Sequence, residues 1–321
     1  MRRRDILSSL GLGAVFLSTR ASPSAAQAAM PTIGFLALGV PDAKPWFAGA
    51  EAALREAGYV DGRTVRIERR SAGGDSGRLG ELAADLVRLK VDAIVAFQTP
   101  AATAARRATA AIPIVMRGVG DPVATGLIAS LSHPGGNLTG MSAASPGLSD
   151  KLVDIVRELF PAARRLGLLL NGADPYATPL REHIQQGAAR NGMEIQVQLA
   201  RPQDDFQAIL QTMGENQAEA VFVQPTLVSK ALVETALQQR LPLVSNSGAP
   251  LGVLAALAPG SKEQDRGMAD YVDKILKGRK PADLPVSQPT VFTLQINSRT
   301  AATLGLTIPP AILARADEVI D

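Results

Sequence analysis

Residues 91–123 read VDAIVAFQTPAATAARRATAAIPIVMRGVGDPV. Two continuous apolar runs, 91–97 and 112–116, flank an alanine-rich segment that is predicted helical over 101–110. Apolar runs of this length without alternation belong to strands covered on both faces, the mark of a parallel sheet with crossover helices. Each run stops abruptly in polar, turn-forming residues: Gln98-Thr99-Pro100 after the first, Gly118 to Pro122 after the second. Parallel neighbours point the same way, so both polar sets lie at one edge of the sheet.

The same alternation extends outward. Upstream come an apolar run at 32–38, a helical pattern at 46–57 closed by Gly58, an edge-type strand at 64–69, and a helix at 79–89 with Leu79, Leu82, Leu86 and Leu89 on one face. Downstream, 123–131 is predicted helical, which completes β-α-β-α-β-α-β-α. His133-Pro134-Gly135-Gly136-Asn137 then breaks the pattern, and 138–142 is read as the passage to a second unit. There, helices at 150–160, 178–191, 204–216, 228–239 and 262–276 alternate with strands at 164–170, 194–199, 220–223, 241–244 and 252–258. A proline-rich strap at 280–289, a run at 291–296, a segment at 298–304 and a short helix from Pro310 finish the chain. The expected fold is α/β: two doubly wound parallel-sheet lobes, 31–140 plus about 259–288 and 141–258 plus about 289–321, joined by a hinge of three segments near Gly140, Pro259 and Pro289.

The first 28 residues read as an export signal: Arg2-Arg3-Arg4, a short apolar run from Ile6 to Leu17, and small residues up to Ala28. The apolar run falls well short of the roughly 20 residues that span a bilayer. The arginine pair before Asp5-Ile6-Leu7 also resembles a twin-arginine signal. The pI near 9.3 is largely the signal's own. Without Arg2, Arg3, Arg4, Arg20 and Asp5, the 33 basic and 30 acidic residues become 29 of each. That balance gives no basis for a nucleic-acid partner. The chain has no cysteine, which excludes disulfides, thiol nucleophiles, thiolate metal sites and a lipid anchor on cysteine. A periplasmic protein that is not lipid-anchored is expected.

In open parallel sheets, ligands sit beyond the carboxyl ends of the strands, where the next helices begin. The polar strand ends therefore nominate Gln98, Thr99, Pro100 and Ala101, then Asp121, then Asn171, Asp174 and Tyr176, then Gln224 and Thr226, and last Ser245 and Asn246. Thr99 before Pro100 reads as a helix N-cap with proline at the first helical position. Asp121 is placed to pair with an ammonium. Leu38, Trp46 and Phe47 are further candidates, either core or lid. Each of these residue types also serves as an ordinary cap or turn. What favours a site is their recurrence on two facing lobes.

Other motifs carry less. His133 lies in a Pro/Gly turn and His183 on a helix, with no acid/base partner or metal companion in the pattern. Asn137-Leu138-Thr139 matches a glycosylation sequon by chance frequency, and Gly118-x-Gly120 lacks the third glycine of a dinucleotide loop. Arg106-Arg107 reads as a solvated helix face. No cofactor and no metal are expected.

Three segments, at 53–70, 82–140 and 271–320, resemble the periplasmic substrate-binding proteins of ABC transporters, in the group that includes tryptophan/phenylalanine-type binding proteins. GDPV at 120–123, HPGGN at 133–137 with the following Thr139-Gly140, and the C-terminal stretch are the most specific parts. The resemblance implies a type I periplasmic-binding-protein fold closing on one small ligand. It places the ligand-facing segments on Gln98, Thr99, Pro100, Asp121, Asn171 and Gln224-Pro225-Thr226. It also implies an ABC permease as partner and a monomer. In one departure, where relatives often carry an aromatic-bearing segment ending in Tyr-Gly, this chain reads SNSGAPLGVLAALAPG at 245–260. That sets the resemblance against an aromatic ligand and leaves a small polar, amino-acid-like solute. Two other readings stay open: a ligand-sensing module for a receptor, and a two-lobed enzyme. The enzyme is disfavoured because no nucleophile–base pair stands at the predicted cleft.

Overall fold

A computed structural model describes residues 30–39, 43–143 and 146–321. The export signal read in residues 1–28 lies outside the described residues.

The first lobe is built on β1 (Thr32–Ala37), α1 (Lys44–Glu56), β2 (Arg66–Ser71), α2 (Leu79–Arg88), β3 (Ala93–Phe97), α3 (Gln98–Ala108), β4 (Ile114–Val119) and β5 (Leu138–Ser142). Its sheet has the order β2-β1-β3-β4-β5 and is parallel throughout. The second lobe takes α4 (Pro146–Leu159), β6 (Arg165–Asn171), α5 (Ala177–Arg190), β7 (Glu194–Ala200), α6 (Phe206–Glu215), β8 (Ala220–Val223), α7 (Lys230–Gln238), β9 (Leu243–Ser245) and β10 (Ala255–Pro259). The chain then returns to the first lobe as α8 (Ser261–Leu276). It ends in the second lobe with β11 (Phe292–Asn297), α9 (Ser298–Leu304), α10 (Pro310–Arg315) and β12 (Glu318–Ile320). The second sheet has the order β12-β11-β10-β9-β8-β6-β7.

The apolar runs become strands buried on both faces because their side chains alternate between two cores. Ile33, Phe35 and Ala37 of β1 and Val95 and Phe97 of β3 face α1 and α8, where Met268, Val272 and Ile275 complete one cluster. Leu36, Ile94 and Ala96 face α2 and α3 on the opposite side. In the second lobe, Leu166, Leu168 and Phe222 face α4 and α5, while Leu169, Val221 and Val223 face α6 and α7. Each fully buried Val, Leu, Ile, Phe or Met among them stabilises the fold by ~1.5–3 kcal/mol. Phe35, Phe47 and Phe97 meet with ring centroids 5.3–5.5 Å apart, tilted or edge-on, directly beneath the end of β3.

Four sequence expectations need correction. Residues 138–142 are not a passage between lobes but strand β5, paired with β4. β11 runs antiparallel to β10, and β12 joins it in parallel, so the second sheet is mixed at one edge. Residues 123–131 form turns rather than a helix. Asp121 Oδ1 accepts the Val123 and Ala124 N–H groups as an N-cap would, and the Thr125 N–H reaches Asp121 O at 3.0 Å. The single turn is then broken at Gly126, whose φ of +70° takes the chain out of helical space. Finally, Thr99 is not a cap: α3 begins at Gln98, and the Thr99 hydroxyl accepts the Gly120 N–H at 3.0 Å.

Candidate functional site

The carboxyl ends of β3 and β4 face those of β6, β8 and β9 across a cleft. Between them is a cavity of about 180 Å³, walled by both lobes and by the first turn of α8. A cavity of about 150 Å³ is large enough to hold a benzene ring.

The first lobe's wall begins where β3 stops. Phe97 is fully buried, and the next residue, Gln98, turns the chain with φ +67°. That left-handed conformation costs a non-glycine residue ~1–2 kcal/mol. Thr99 follows, tied to Gly120 as described. From β4 comes Arg117, whose Nε donates to Asp265 Oδ1 of α8 at 2.8 Å. The pair is largely shielded, with side chains 14% and 10% exposed. The Arg117 Nη1 and Nη2 groups have no acceptor among the described residues, and the guanidinium lines the cavity. Trp46, at the start of α1, supplies an aromatic surface.

The second lobe's wall is a closed polar network. The Asn171 N–H donates to Gln224 Oε1 (2.9 Å), and Asn171 Nδ2 donates to Thr226 Oγ1 (3.3 Å). Asp174 Oδ1 accepts the Tyr176 N–H (2.9 Å), and its Oδ2 accepts from Gln224 Nε2 (2.8 Å) and the Thr226 hydroxyl (3.2 Å). Burial pushes the Asp174 carboxyl up to about 6, against the lowering pull of these three bonds. Burial likewise raises the Tyr176 hydroxyl, and the charges of Asp121 and Asp174 add to the effect, while a bond with Ser149 opposes it. Asn246 donates from Nδ2 to Leu257 O at 3.1 Å, and its Oδ1 lies 3.5 Å from the Ser149 hydroxyl.

Of the residues nominated from sequence, the structure brings Gln98, Thr99, Asp174, Tyr176, Gln224, Thr226, Asn246 and Trp46 to the cavity wall. The others stand elsewhere. Leu38 and Phe47 are core, and Ala101 is buried in α3. Pro100 faces a separate groove between α2, α3 and Ala173. Asp121 Oδ1 caps its own turn, and the residue is not part of the cavity wall, although its charge acts on Tyr176. Asn171 stands behind Gln224 and Thr226 and fixes their positions. The Ser245 hydroxyl is taken by Val223 O. The sequon asparagine, Asn137, is buried, with its Nδ2 donating to Thr109 O and Ile112 O.

Sequence reasoning missed Arg117, Ser149 and Gln264. Arg117 had a signal: a cation closing an apolar strand before Gly118. Gln264 had none, because α8 reaches the cavity only through the return of the chain to the first lobe. The aromatic surface absent from 245–260 is supplied here by Trp46 and Tyr176. Neither His133 nor His183 lines the cavity. Among the described residues, no three acidic or histidine side chains cluster as metal ligands, and no helix is long and apolar enough to cross a membrane.

Comparison with known proteins agrees with this architecture. The family model for ABC transporter substrate binding proteins matches residues 41–320. The chain is 28% identical over 260 residues to a tyrosine-binding protein of Clostridioides difficile, covering 79% of this chain and 74% of that one. It superposes with a TM-score of 0.83 on a conserved domain protein of Vibrio cholerae, at 28% identity, covering 90% of this chain and 99% of the other. The TM-score is 0.82 at 26% identity for an ABC domain from Streptococcus pneumonia in complex with L-Trp, again over 90% and 99% of the two chains. Two parallel-sheet lobes with a shared cavity at their strand ends, matched over nearly the whole described chain, place this protein in the ABC transporter substrate-binding family, with the type I periplasmic-binding-protein fold.

Proposed function

We propose that the protein binds a small amino-acid-like solute in the interlobe cavity and delivers it to an ABC transporter permease from outside the cytoplasm. It acts as a monomeric binder, not as an enzyme. The observation that carries this reading is the makeup of the cavity wall. A guanidinium with free donors stands on the first lobe, a buried carboxylate network on the second, and aromatic surfaces lie between them. A zwitterion with an apolar or aromatic body matches that distribution. The tyrosine- and tryptophan-associated relatives support the ligand class. The family is typically extracytoplasmic, and the signal-like residues 1–28 support export.

The mechanism follows from connectivity. The chain passes between lobes near residues 143, 260 and 290, and these segments would act as a hinge. In the open form each lobe offers half of the donors and acceptors, and closure completes the site and excludes water. The test is a thermal-shift screen of purified protein against amino acids, sugars, nucleosides and organic acids, followed by uptake of the stabilising solute in a deletion strain. Stabilisation by one or more amino acids and loss of uptake are the expected results. Stabilisation only by another solute class would replace the ligand reading, and unchanged uptake would remove the transport role.

A further inference from the structure

Helix α1 carries a single glycine, Gly49, in the middle of the sequence KPWFAGAEAALRE. Glycine inside a helix destabilises it relative to alanine. Gly49 has no positive φ that would call for one. The reason stands on the neighbouring helix, α8. A Cβ built on Gly49 would lie 2.6 Å from Asp265 Oδ2, 3.4 Å from its Cγ and 3.8 Å from its Oδ1. All three nearest atoms belong to that one carboxylate, and no backbone atom comes as close. Residue 49 is therefore bare where Asp265 needs room.

Asp265 is buried, and its Oδ1 accepts from Arg117 Nε at 2.8 Å. One oxygen thus sits in the notch of α1 while the other holds the guanidinium that lines the interlobe cavity. Gly49 itself is not part of the cavity wall.

The surroundings decide what would yield to a methyl group at residue 49. Phe47, Ala50, Ala53 and Leu54 of α1 share one core cluster with Met268, Val272 and Ile275 of α8. The first turn of α8 is also anchored on its other sides. The Glu263 carboxylate accepts the Thr290 and Val291 N–H groups, and Gln264 Nε2 donates to Ser142 O at 3.0 Å. Parting the two helices would open a close-packed core, whereas turning one carboxylate opens nothing. A methyl at residue 49 would therefore turn Asp265 aside and leave the helices in place. The bond to Arg117 Nε would break, and a long side chain would regain its rotamer freedom at the cavity wall.

We infer that Gly49 is a positioning residue for ligand binding: its bare Cα admits the Asp265 carboxylate, which fixes Arg117 in the cavity wall before a ligand arrives. Trp46, one turn earlier on α1, lines the same cavity. One helix thus places one cavity group directly and a second through Asp265. This assignment rests on the reading of the cavity as the ligand site, and it holds whichever ligand group Arg117 meets.

The experiment is a double-mutant cycle on the purified full chain with Gly49→Ala and Asp265→Ala. It is read by thermal denaturation, and by isothermal titration calorimetry with the twenty L-amino acids below all four midpoints. In the wild-type background, Gly49→Ala is expected to lower the midpoint and to weaken the tightest amino acid about 3- to 10-fold, the cost of ordering a freed side chain. In the Asp265→Ala background the methyl meets no carboxylate. There Gly49→Ala should raise the midpoint by about 1–3 °C through helix propensity and change affinity less than about 2-fold. If Asp265→Ala does not fold, Asp265→Ser supplies the background, because its side chain ends at the level of Cγ, 3.4 Å from the added Cβ. A glycine that serves packing alone would shift the midpoint in the same direction in both backgrounds and leave affinity unchanged, and either result overturns the inference. An equal affinity loss in both backgrounds would overturn it too. If the wild type binds no amino acid, the ligand reading falls and Gly49 loses its binding role. The reversal of the midpoint shift would then still show whether Asp265 occupies the notch.

Discussion

The ring of Tyr176, from the second lobe, lies flat over Gly120 of the first. A Cβ built on Gly120 would fall 2.4 Å from Tyr176 Cδ1 and 2.5 Å from its Cγ. Real Cβ contacts do not come this near, so the lobes reach this arrangement only because residue 120 has no side chain. Gly120→Val is therefore expected to obstruct closure and lower ligand affinity at least about 10-fold, with unfolding free energy changed by about 1 kcal/mol or less. Calorimetric titration alongside urea denaturation checks both halves. Unchanged affinity would show that the lobes bind ligand without this contact.

Gln98 predicts a stability–function trade. Gln98→Gly relieves a left-handed strain of ~1–2 kcal/mol and adds back ~0.5–1 kcal/mol of unfolded-chain entropy. The variant should be equal to or up to about 1.5 kcal/mol more stable than wild type, yet bind more weakly. Denaturation midpoints and titration on the same preparations decide the matter. A variant that is both less stable and binds normally would mean that Gln98 serves only the fold.

The shielded Arg117–Asp265 pair predicts asymmetric costs. Removing one partner leaves a charge in a low-dielectric setting, so Arg117→Ala or Asp265→Ala should each destabilise by ~3–5 kcal/mol. The pair is in direct contact, so the double variant Arg117→Ala with Asp265→Ala should cost clearly less than the two single changes summed. Ligand affinity should nevertheless be lost in every variant lacking Arg117. Additive costs, measured in a double-mutant cycle by urea denaturation, would contradict the ion-pair account.

Asp174 predicts a pH dependence. Its folded value, about 6, lies above the ordinary 3.8, so between these values the folded protein binds more protons than the unfolded chain. The contribution of this group to stability is therefore full below about pH 4 and is lost as pH rises through about 6. The full swing is on the order of 2–3 kcal/mol. Asp174→Asn has no such titration. The stability of wild type relative to Asp174→Asn should thus increase as the pH is lowered from 7.5 to 5, as followed by denaturant unfolding at each pH. A constant difference would mean that the carboxylate is better solvated than its burial implies.

Much of this arrangement was legible in the chain itself. The runs at 91–97 and 112–116 mark buried parallel strands because their side chains must serve two cores, and the structure places them so as β3 and β4. The polar residues after β3, β6 and β8 reach the cavity for the same topological reason. At Asp121 the sequence alone does not separate capping from ligand pairing, since both use the same carboxylate; the structure shows Oδ1 accepting the Val123 and Ala124 N–H groups. The turn at 121–126 carries a genuine helix start, and Gly126 ends it after one turn. Gln264 was illegible because its role depends on a contact with Ser142, 122 residues away in sequence. Trp46 and Phe47 are adjacent on α1, yet one lines the cavity and the other joins the core, a division set by helix rotation.

Trp46 is the chain's single tryptophan, and it lines the cavity, so its fluorescence reports on that space alone. Titrating the purified protein with each of the other nineteen L-amino acids, with L-tryptophan followed by calorimetry, tests the central claim directly. The account predicts a saturable change in Trp46 emission for at least one amino acid, shifted to at least about 10-fold higher ligand concentration in Gly120→Val. No response to any amino acid, or a response that Gly120→Val leaves unchanged, would contradict it.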